Sequence, residues 1–342
     1  MIKKKVLVIG AGWYGCHIGL TLLRHGHNVE IQDKKEAPFL GASGLNQNRL
    51  HMGFHYPRCS ETRFQSLGGF NWFLSKYEFL TKKVDQNFYA IADKGSVIDF
   101  VTFKQIMTAS ELNYTEVDPS ETTLKLEGCS KFIQVDERLI CSLKASKYFL
   151  SELKDNIRFD KFVDIQNTKN LRHLKKEYDF IIDCSWGTAQ SNINNKVFYE
   201  PCIYFKSKFV GKDAFALTLM DGPFFSIYPE QNNHYTITSV EDTPLTQCED
   251  YNTAEKVLKS SNNSAFVEQK YHLFRKKIEF FYPSFSKYFK NPSPMFSIKT
   301  KKNSSVDNRA SKITICDNVI SVFSGKIDTI YIAERKILDL LS

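Results

Sequence analysis

The first thirty-three residues carry the clearest pattern of apolar and polar positions. Val6 to Ile9 is an unbroken apolar run, as fits a parallel strand covered on both faces. Ile18, Leu22 and Leu23 then recur at helical spacing, Gly26 supplies a stop, and Val29 and Ile31 alternate as a second strand ending at Asp33. Ser60 to Lys82 is predicted helical, with Phe64, Leu67, Phe70, Phe73 and Leu74 as its core stripe. Ile157 to Ile165 alternates, and Tyr178 to Cys184 reads as a buried strand running to a turn at Gly187. Phe198 to Lys206, Phe215 to Leu219, Phe224 to Tyr228 and His234 to Ser239 read as strands, with a hairpin connection at 229–233. Ala254 to Phe281 is predicted helical with a break near 260–264. Lys299 to Ser305 is polar enough for a mobile loop. Asn318 to Thr329 is predicted as strand, turn and helix start.

Chemistry enters at the first turn. Gly10-Ala11-Gly12-Trp13-Tyr14-Gly15 lies between strand and helix, with an acid at Asp33 closing the second strand. This is the full context of a dinucleotide-binding fingerprint. Gly10 permits the turn, Gly12 lets a pyrophosphate approach the backbone, Gly15 lets helix and strand pack, and the helix N-terminus faces the phosphates. Asp33 is the expected ribose acceptor. The fingerprint alone does not separate NAD from FAD. After Asp33 the chain runs through a long irregular segment, Glu36 to Pro57, and such segments are usually functional. Within it, Asn46 to Arg58 reads NQNRLHMGFHYPR, two histidines, two arginines and a tyrosine around Gly53.

Composition narrows the classes. With 342 residues, 42% hydrophobic and 14% aromatic, the chain is expected to fold as a large globule or two interwoven domains. The net charge of +8 comes from scattered lysines, and no basic-aromatic interleaving points to nucleic acid. No apolar run is long enough to span a membrane, and the N-terminal apolar run ends at Gly10, so a cytoplasmic location is expected. The eight cysteines form no Cys-x-x-Cys pair, so no metal site is expected and free buried thiols are.

The loop Leu45-Asn46-Gln47-Asn48-Arg49-Leu50-His51-Met52-Gly53-Phe54-His55-Tyr56 resembles the D-amino-acid-oxidase-like superfamily of FAD-dependent oxidoreductases. The likeness is nearest to the L-2-hydroxyglutarate oxidase and glycerol-3-phosphate dehydrogenase branch, with the Asn, His, Gly and final Tyr in register. Arg49 and His55 depart from that pattern. Ser324-Gly325-Lys326-Ile327-Asp328-Thr329 is similar to the turn after that family's last flavin strand. The resemblance implies FAD, held by Gly10, Gly12, Trp13, Tyr14, Gly15, Asp33, Lys34, Ser43, Asn46, Asn48, Arg49, Leu50, His51, Val163, Cys184, Gly187, Ser324, Gly325, Lys326, Ile327 and Asp328. It implies an α/β fold: a Rossmann-like FAD-binding domain of glutathione-reductase type, interleaved with an α+β substrate domain built on a mixed sheet. Residues 1–82, 136–192 and 312–342 would form the first domain, and 83–135 with 193–311 the second.

Oxidising a C–H bond beside oxygen or nitrogen needs a base and a group that fixes the substrate. His51 or His55 is the expected base. Arg49 or Arg58 is a candidate clamp for an anionic small molecule, with Lys299 or Arg309 as substitutes nearer the C-terminus. Tyr56 or Tyr228 is a candidate donor. Gly53 is expected to let the backbone pass close to a flat ring. The expected activity is oxidation of a CH–OH or CH–NH group by hydride transfer to flavin. The alternatives are a flavoenzyme acting on a nucleotide sugar and a silent FAD-binding protein. The pattern fixes neither the electron acceptor nor the oligomeric state.

Overall fold

A computed structural model describes residues 2–189, 197–302 and 311–342. The first half of the chain runs through β1 (Lys5–Ile9), α1 (Trp13–Arg24), β2 (Asn28–Gln32), β3 (Arg49–Leu50), α2 (Ser60–Tyr77), β4 (Thr81–Lys83), β5 (Asn87–Ile91), α3 (Phe100–Ala109), β6 (Thr115–Val117), β7 (Lys131–Gln134), β8 (Arg138–Ile140), α4 (Ser142–Leu153) and β9 (Ile157–Arg158). Then come α5 (Thr168–Glu177), β10 (Phe180–Asp183), β11 (Val197–Phe209), β12 (Ala216–Met220), β13 (Phe225–Pro229), β14 (His234–Ser239), α6 (Tyr251–Ser261) and α7 (Ser264–Phe281). The short α8 (Phe285–Tyr288), β15 (Phe289–Lys302), β16 (Lys312–Cys316), β17 (Val319–Phe323) and α9 (Ile330–Leu341) complete it.

Three sheets organise these elements. One has the order β16-β17-β10-β1-β2-β9, parallel except for β16. Its strands come from both ends of the chain and its middle. β1 lies between β2 and β10, so its apolar run is buried on both sides, with Val6, Leu7 and Val8 fully so. The second sheet, β15-β11-β14-β13-β12-β5-β7-β6, is mixed, with β5 and β12 parallel. The third is a small antiparallel sheet, β3-β8-β4. Two large apolar cores follow. One joins β1, β2, α1, α2, α4 and α9. The other packs Phe274, Ile278 and Phe281 of α7 against the mixed sheet, where Phe88, Phe205 and Ile227 are buried. A Rossmann-like parallel sheet interleaved with a mixed sheet is the fold.

Several local expectations change. The helix from Ser60 stops at Tyr77 and gives way to a 3-10 turn, Glu78–Leu80, and then β4. On it Phe70 and Phe73 are buried, but Phe64 is 56% exposed, because the stripe rotates away from the core in the first turn. The alternation at 157–165 yields a strand of two residues only; the rest leaves the sheet edge, and Val163 and Ile165 close a small core with Leu7, Ile9 and Ile181. Lys299 to Lys302, expected in a mobile loop, belong to β15, where pairing with β11 places Lys301 within 2.7 Å of Glu200. The remainder of that polar stretch, with Arg309, lies outside the described residues. All eight cysteines are unpaired; Cys16, Cys129, Cys202 and Cys248 are buried, and Cys316 is exposed.

Candidate active site

The turn between β1 and α1 is built by close approach. Gly10 has φ +99°, which favours glycine, and a Cβ on Gly15 would sit 1.8 Å from the Gly10 carbonyl oxygen. Gly12 ends the turn as the N-cap of α1, without a side-chain cap. The Trp13 amide donates to the Ser43 hydroxyl at 3.0 Å, which also crowds the Cβ position of Gly12 at 2.7 Å. Ser43 thus brings the irregular segment over the helix N-terminus. The Asp33 carboxylate accepts from the Ala11 amide (2.5 Å) and the Lys35 amide (2.8 Å), so it crosses the same turn. A helix N-terminus, a glycine cradle and an acid at the end of β2 are the groups a dinucleotide needs, and they fit FAD.

The other expected cofactor residues divide. The Trp13 indole packs edge-on to Phe39, Phe73 and Phe149, so it belongs to the core and leaves only its amide to the turn. The Tyr14 hydroxyl donates to the Lys326 carbonyl at 2.7 Å, tying α1 to the C-terminal turn; burial pushes its pKa up to about 12. The Lys34 ammonium lies 4.1 Å from the Tyr251 ring centre. Asn46 is exposed and closes its own loop through the Ala42 carbonyl and the Asn48 amide. Asn48 is buried at φ +50° and Leu50 is in the core. Cys184 bonds back to Ile9 through its amide, and the Gly187 carbonyl, at φ +85°, accepts from the Tyr199 hydroxyl.

After β17, the Ser324 hydroxyl accepts from the Lys326 amide at 3.2 Å, and Gly325 lies under Trp186. Half-buried Ile327 packs on the first core. Lys326 and Asp328 form a buried ion pair at 3.2 Å. Burial opposes the charged ammonium, yet Asp328 and Tyr56 raise the Lys326 pKa. This ammonium also lies 4.0 Å from the Tyr56 ring centre. A Cβ on Gly69 of α2 would be 1.6 Å from the Asp328 carbonyl oxygen, so α2 and this turn are in direct contact. The turn therefore meets the end of the 46–58 loop.

That loop threads the interior. The Arg49 guanidinium, 2% exposed, donates to the hydroxyls of Tyr89 (3.1 Å), Thr218 (2.6 Å) and Ser226 (2.8 Å), and the Tyr228 ring lies over it at 4.0 Å. It is thus a bridge from β3 into the mixed sheet. Fully buried Glu137 accepts from the Tyr89 hydroxyl (2.8 Å) and the Met52 amide (2.9 Å), with Arg49 at 3.9 Å and His51 Nδ1 at 3.5 Å. Burial disfavours this carboxylate, but His51, Arg49 and the Met52 amide outweigh it and hold its pKa at about 2. Burial first, then Lys326, lowers His51; burial, then His51 and Arg49, lowers His55 well below its ordinary value. Both rings are accordingly neutral near pH 7. The rings of His51, His55 and Tyr56 lie within 5.5 to 6.1 Å of one another. Arg49 Nε, His51 Nδ1, His55 Nδ1 and the Tyr228 hydroxyl are buried without a hydrogen-bond partner.

Arg49, His51, His55, Tyr56, Lys326, Asp328 and Tyr228 are thus brought together. Arg58 points elsewhere, 3.1 Å from Asp221, and Lys299 pairs in register with Glu200 on β11. Gly53 has φ +126° and its missing Cβ faces the Arg63 backbone of α2 at 3.1 Å, so helix packing demands glycine there. Sequence reasoning missed Glu137, Tyr89, Thr218 and Ser226. The signal for Glu137 was an acid between two strand-like stretches, Val135-Asp136-Glu137-Arg138-Leu139.

No family model matches the chain. It is 36% identical over 340 residues to the FAD-dependent monooxygenase FPY4 of Fusarium mangiferae, covering 98% of this chain and 90% of that protein. Its fold is shared with glycine oxidase from Geobacillus kaustophilus (TM-score 0.71, 11% identity, 99% of this chain and 95% of the other). It is shared equally with dithionite-reduced L-alpha-glycerophosphate oxidase from Mycoplasma pneumoniae with FAD bound (TM-score 0.71, 14% identity, 100% and 95%). Identity at that level along nearly the whole chain makes it a member of the FAD-dependent monooxygenase family that includes FPY4, an FAD-dependent oxidoreductase with the fold of the D-amino-acid-oxidase-like superfamily.

Proposed function

We propose that this enzyme oxidises a C–H bond beside a hydroxyl or amine of a small molecule, with His51 removing the hydroxyl or amine proton. The bound FAD supplies the acceptor for the two electrons. The glycine turn and Ser43 would hold its diphosphate, Asp33 its ribose, Val163 its adenine edge, and 324–328 the pyrimidine edge of its ring. Residues 1–82, 136–192 and 312–342 would form this cofactor half. Residues 83–135 and 193–311 would form the substrate half, joined to it by Arg49. The observation that carries the reading is the His51 imidazole, 3.5 Å from the buried Glu137 carboxylate and within the group that meets the C-terminal turn.

Charge bears on the substrate. Arg49 and Lys326 are matched by Glu137 and Asp328, so the cluster is balanced. This supports an uncharged hydroxylated or amino substrate, received by the free Tyr228 hydroxyl and His55 Nδ1. An anionic substrate is the second reading, supported by the unpartnered Arg49 Nε. A nucleotide sugar is less well served, because its diphosphate would need cations, and Arg49, Arg58 and Lys326 each already face a carboxylate.

The test is anaerobic bleaching of the yellow protein with neutral alcohols and amines, hydroxy acids and amino acids, followed by product analysis under isotopically labelled oxygen. His51→Gln is expected to keep its flavin and to bleach about 10²- to 10⁴-fold more slowly. Unchanged bleaching in that variant would sink the assignment of the base.

A further inference from the structure

We propose that Glu137 is a positioning residue that fixes the proton of neutral His51 on Nδ1, leaving Nε2 as the lone pair that accepts the substrate proton. The inference rests on His51 being the base.

Backbone register brings the two together. β3 and β8 are antiparallel, with Arg49 opposite Leu139 and Leu50 opposite Arg138. Continuing that register by one residue sets His51 opposite Glu137, and directly opposed residues on an antiparallel pair share a face. The Met52 amide then closes on the same carboxylate at 2.9 Å. Oε2 is taken by the Tyr89 hydroxyl and Oε1 by Met52, so the carboxylate is itself held in one orientation before it meets His51.

The direction of the proton follows from donor chemistry. An ionised carboxylate only accepts. Arg49 at 3.9 Å and two donated hydrogen bonds keep Glu137 ionised. Glu137 Oε1 lies 3.5 Å from His51 Nδ1, within ion-pair range though no hydrogen bond is formed between them, so Nδ1 must carry hydrogen for the contact to be favourable. A neutral imidazole has one N–H, so Nε2 is left bare. The other groups facing His51 are Arg49, Lys326, His55 and Tyr56. Arg49 and Lys326 are cations and oppose protonation of the ring. Glu137 is an anion facing His51, and it favours the imidazolium formed when the substrate proton arrives.

Long-range proton–nitrogen NMR of histidine-labelled holoprotein reads the tautomer without any substrate, with His51 assigned by its loss in His51→Gln. The wild type is expected to show the Nδ1–H form, and Glu137→Gln to shift it toward Nε2–H. A wild-type His51 in the Nε2–H form overturns the proposal whatever the enzyme does catalytically. If Glu137→Gln fails to fold, Glu137→Asp keeps the charge one methylene further away; a mixture of tautomers is expected there, and an unaltered Nδ1–H form overturns the proposal.

Bleaching kinetics give the second readout. Glu137→Gln should bleach about tenfold or more slowly, with its acid limb moved to lower pH, because a group that raises the His51 pKa has gone. An unmoved limb overturns the proposal. In the double variant with His51→Gln the Glu137 substitution should cost nothing further. If the tautomer behaves as expected while His51→Gln bleaches normally, the base assignment has failed and the pairing has not.

Discussion

The turn between β1 and α1 and the cluster around Arg49 belong to one molecule but are made of opposite materials. The turn uses contiguous residues, backbone amides and missing side chains. The cluster uses polar side chains from residues 49, 51, 89, 137, 218 and 226, each delivered by a different strand or loop. A site made of backbone tolerates no added atoms, whereas a site made of buried charges tolerates no missing partner. The two should therefore fail in different ways, and substitution can tell them apart.

Gly15→Ala should be the most damaging change. Its methyl would overlap the Gly10 carbonyl at 1.8 Å, and that neighbour is backbone that cannot step aside. Destabilisation of roughly 3 kcal/mol or more is expected in urea unfolding, with loss of flavin colour; a yellow, stable variant would break the account of the turn. Arg49→Met tests the opposite material. Removing one side of a buried charge pair should cost roughly 3–5 kcal/mol. It should also change the acid response. In the wild type the Glu137 pKa is depressed to about 2, so its contribution is present above the unfolded value of about 4.5 and is lost as pH falls toward 2. Without Arg49 that loss should begin at higher pH in acid-unfolding titrations.

Smaller effects sharpen the contrast. Asp33→Ala should weaken FAD binding by about 1.5–3 kcal/mol, the range for charged hydrogen bonds, measured by calorimetry on the apoprotein. Because Asp33 also accepts from Ala11 and Lys35, Asp33→Asn should recover part of the loss. Arg58→Ala should change stability by about 0.5 kcal/mol or less. Arg58 is 55% exposed at its ion pair with Asp221, although in sequence it looks as functional as Arg49. A large effect there would mean the cluster extends further than its buried members.

What the sequence made legible follows the same division. Gly10, Gly12, Gly15 and Asp33 were readable because the motif is local and each residue has a stereochemical reason at a fixed spacing. The strands Phe225–Pro229 and His234–Ser239 were readable from alternation. Arg49, His51, His55 and Tyr56 stood out as a polar group in an irregular stretch, yet nothing local showed that Arg49 turns into the mixed sheet while Arg58 stays outside. Glu137, Tyr89, Thr218 and Ser226 escaped notice because their meaning comes from strand pairing across the chain. Trp13 illustrates the converse: adjacency to the fingerprint puts its amide at the turn but says nothing of its ring, which packs among Phe39, Phe73 and Phe149.

The order of strands in the parallel sheet bears on how the protein is made. β1 is synthesised before its partners: its neighbour β10 begins at Phe180, and β17, on the far side of β10, begins at Val319. The turn that meets the 46–58 loop follows β17. During translation the glycine turn can emerge early, while the partner strands needed to bury β1 are still unmade. Contacts of such long sequence separation make folding slow and leave apolar strands exposed meanwhile. The parallel sheet consequently closes only after almost the whole described chain has left the ribosome.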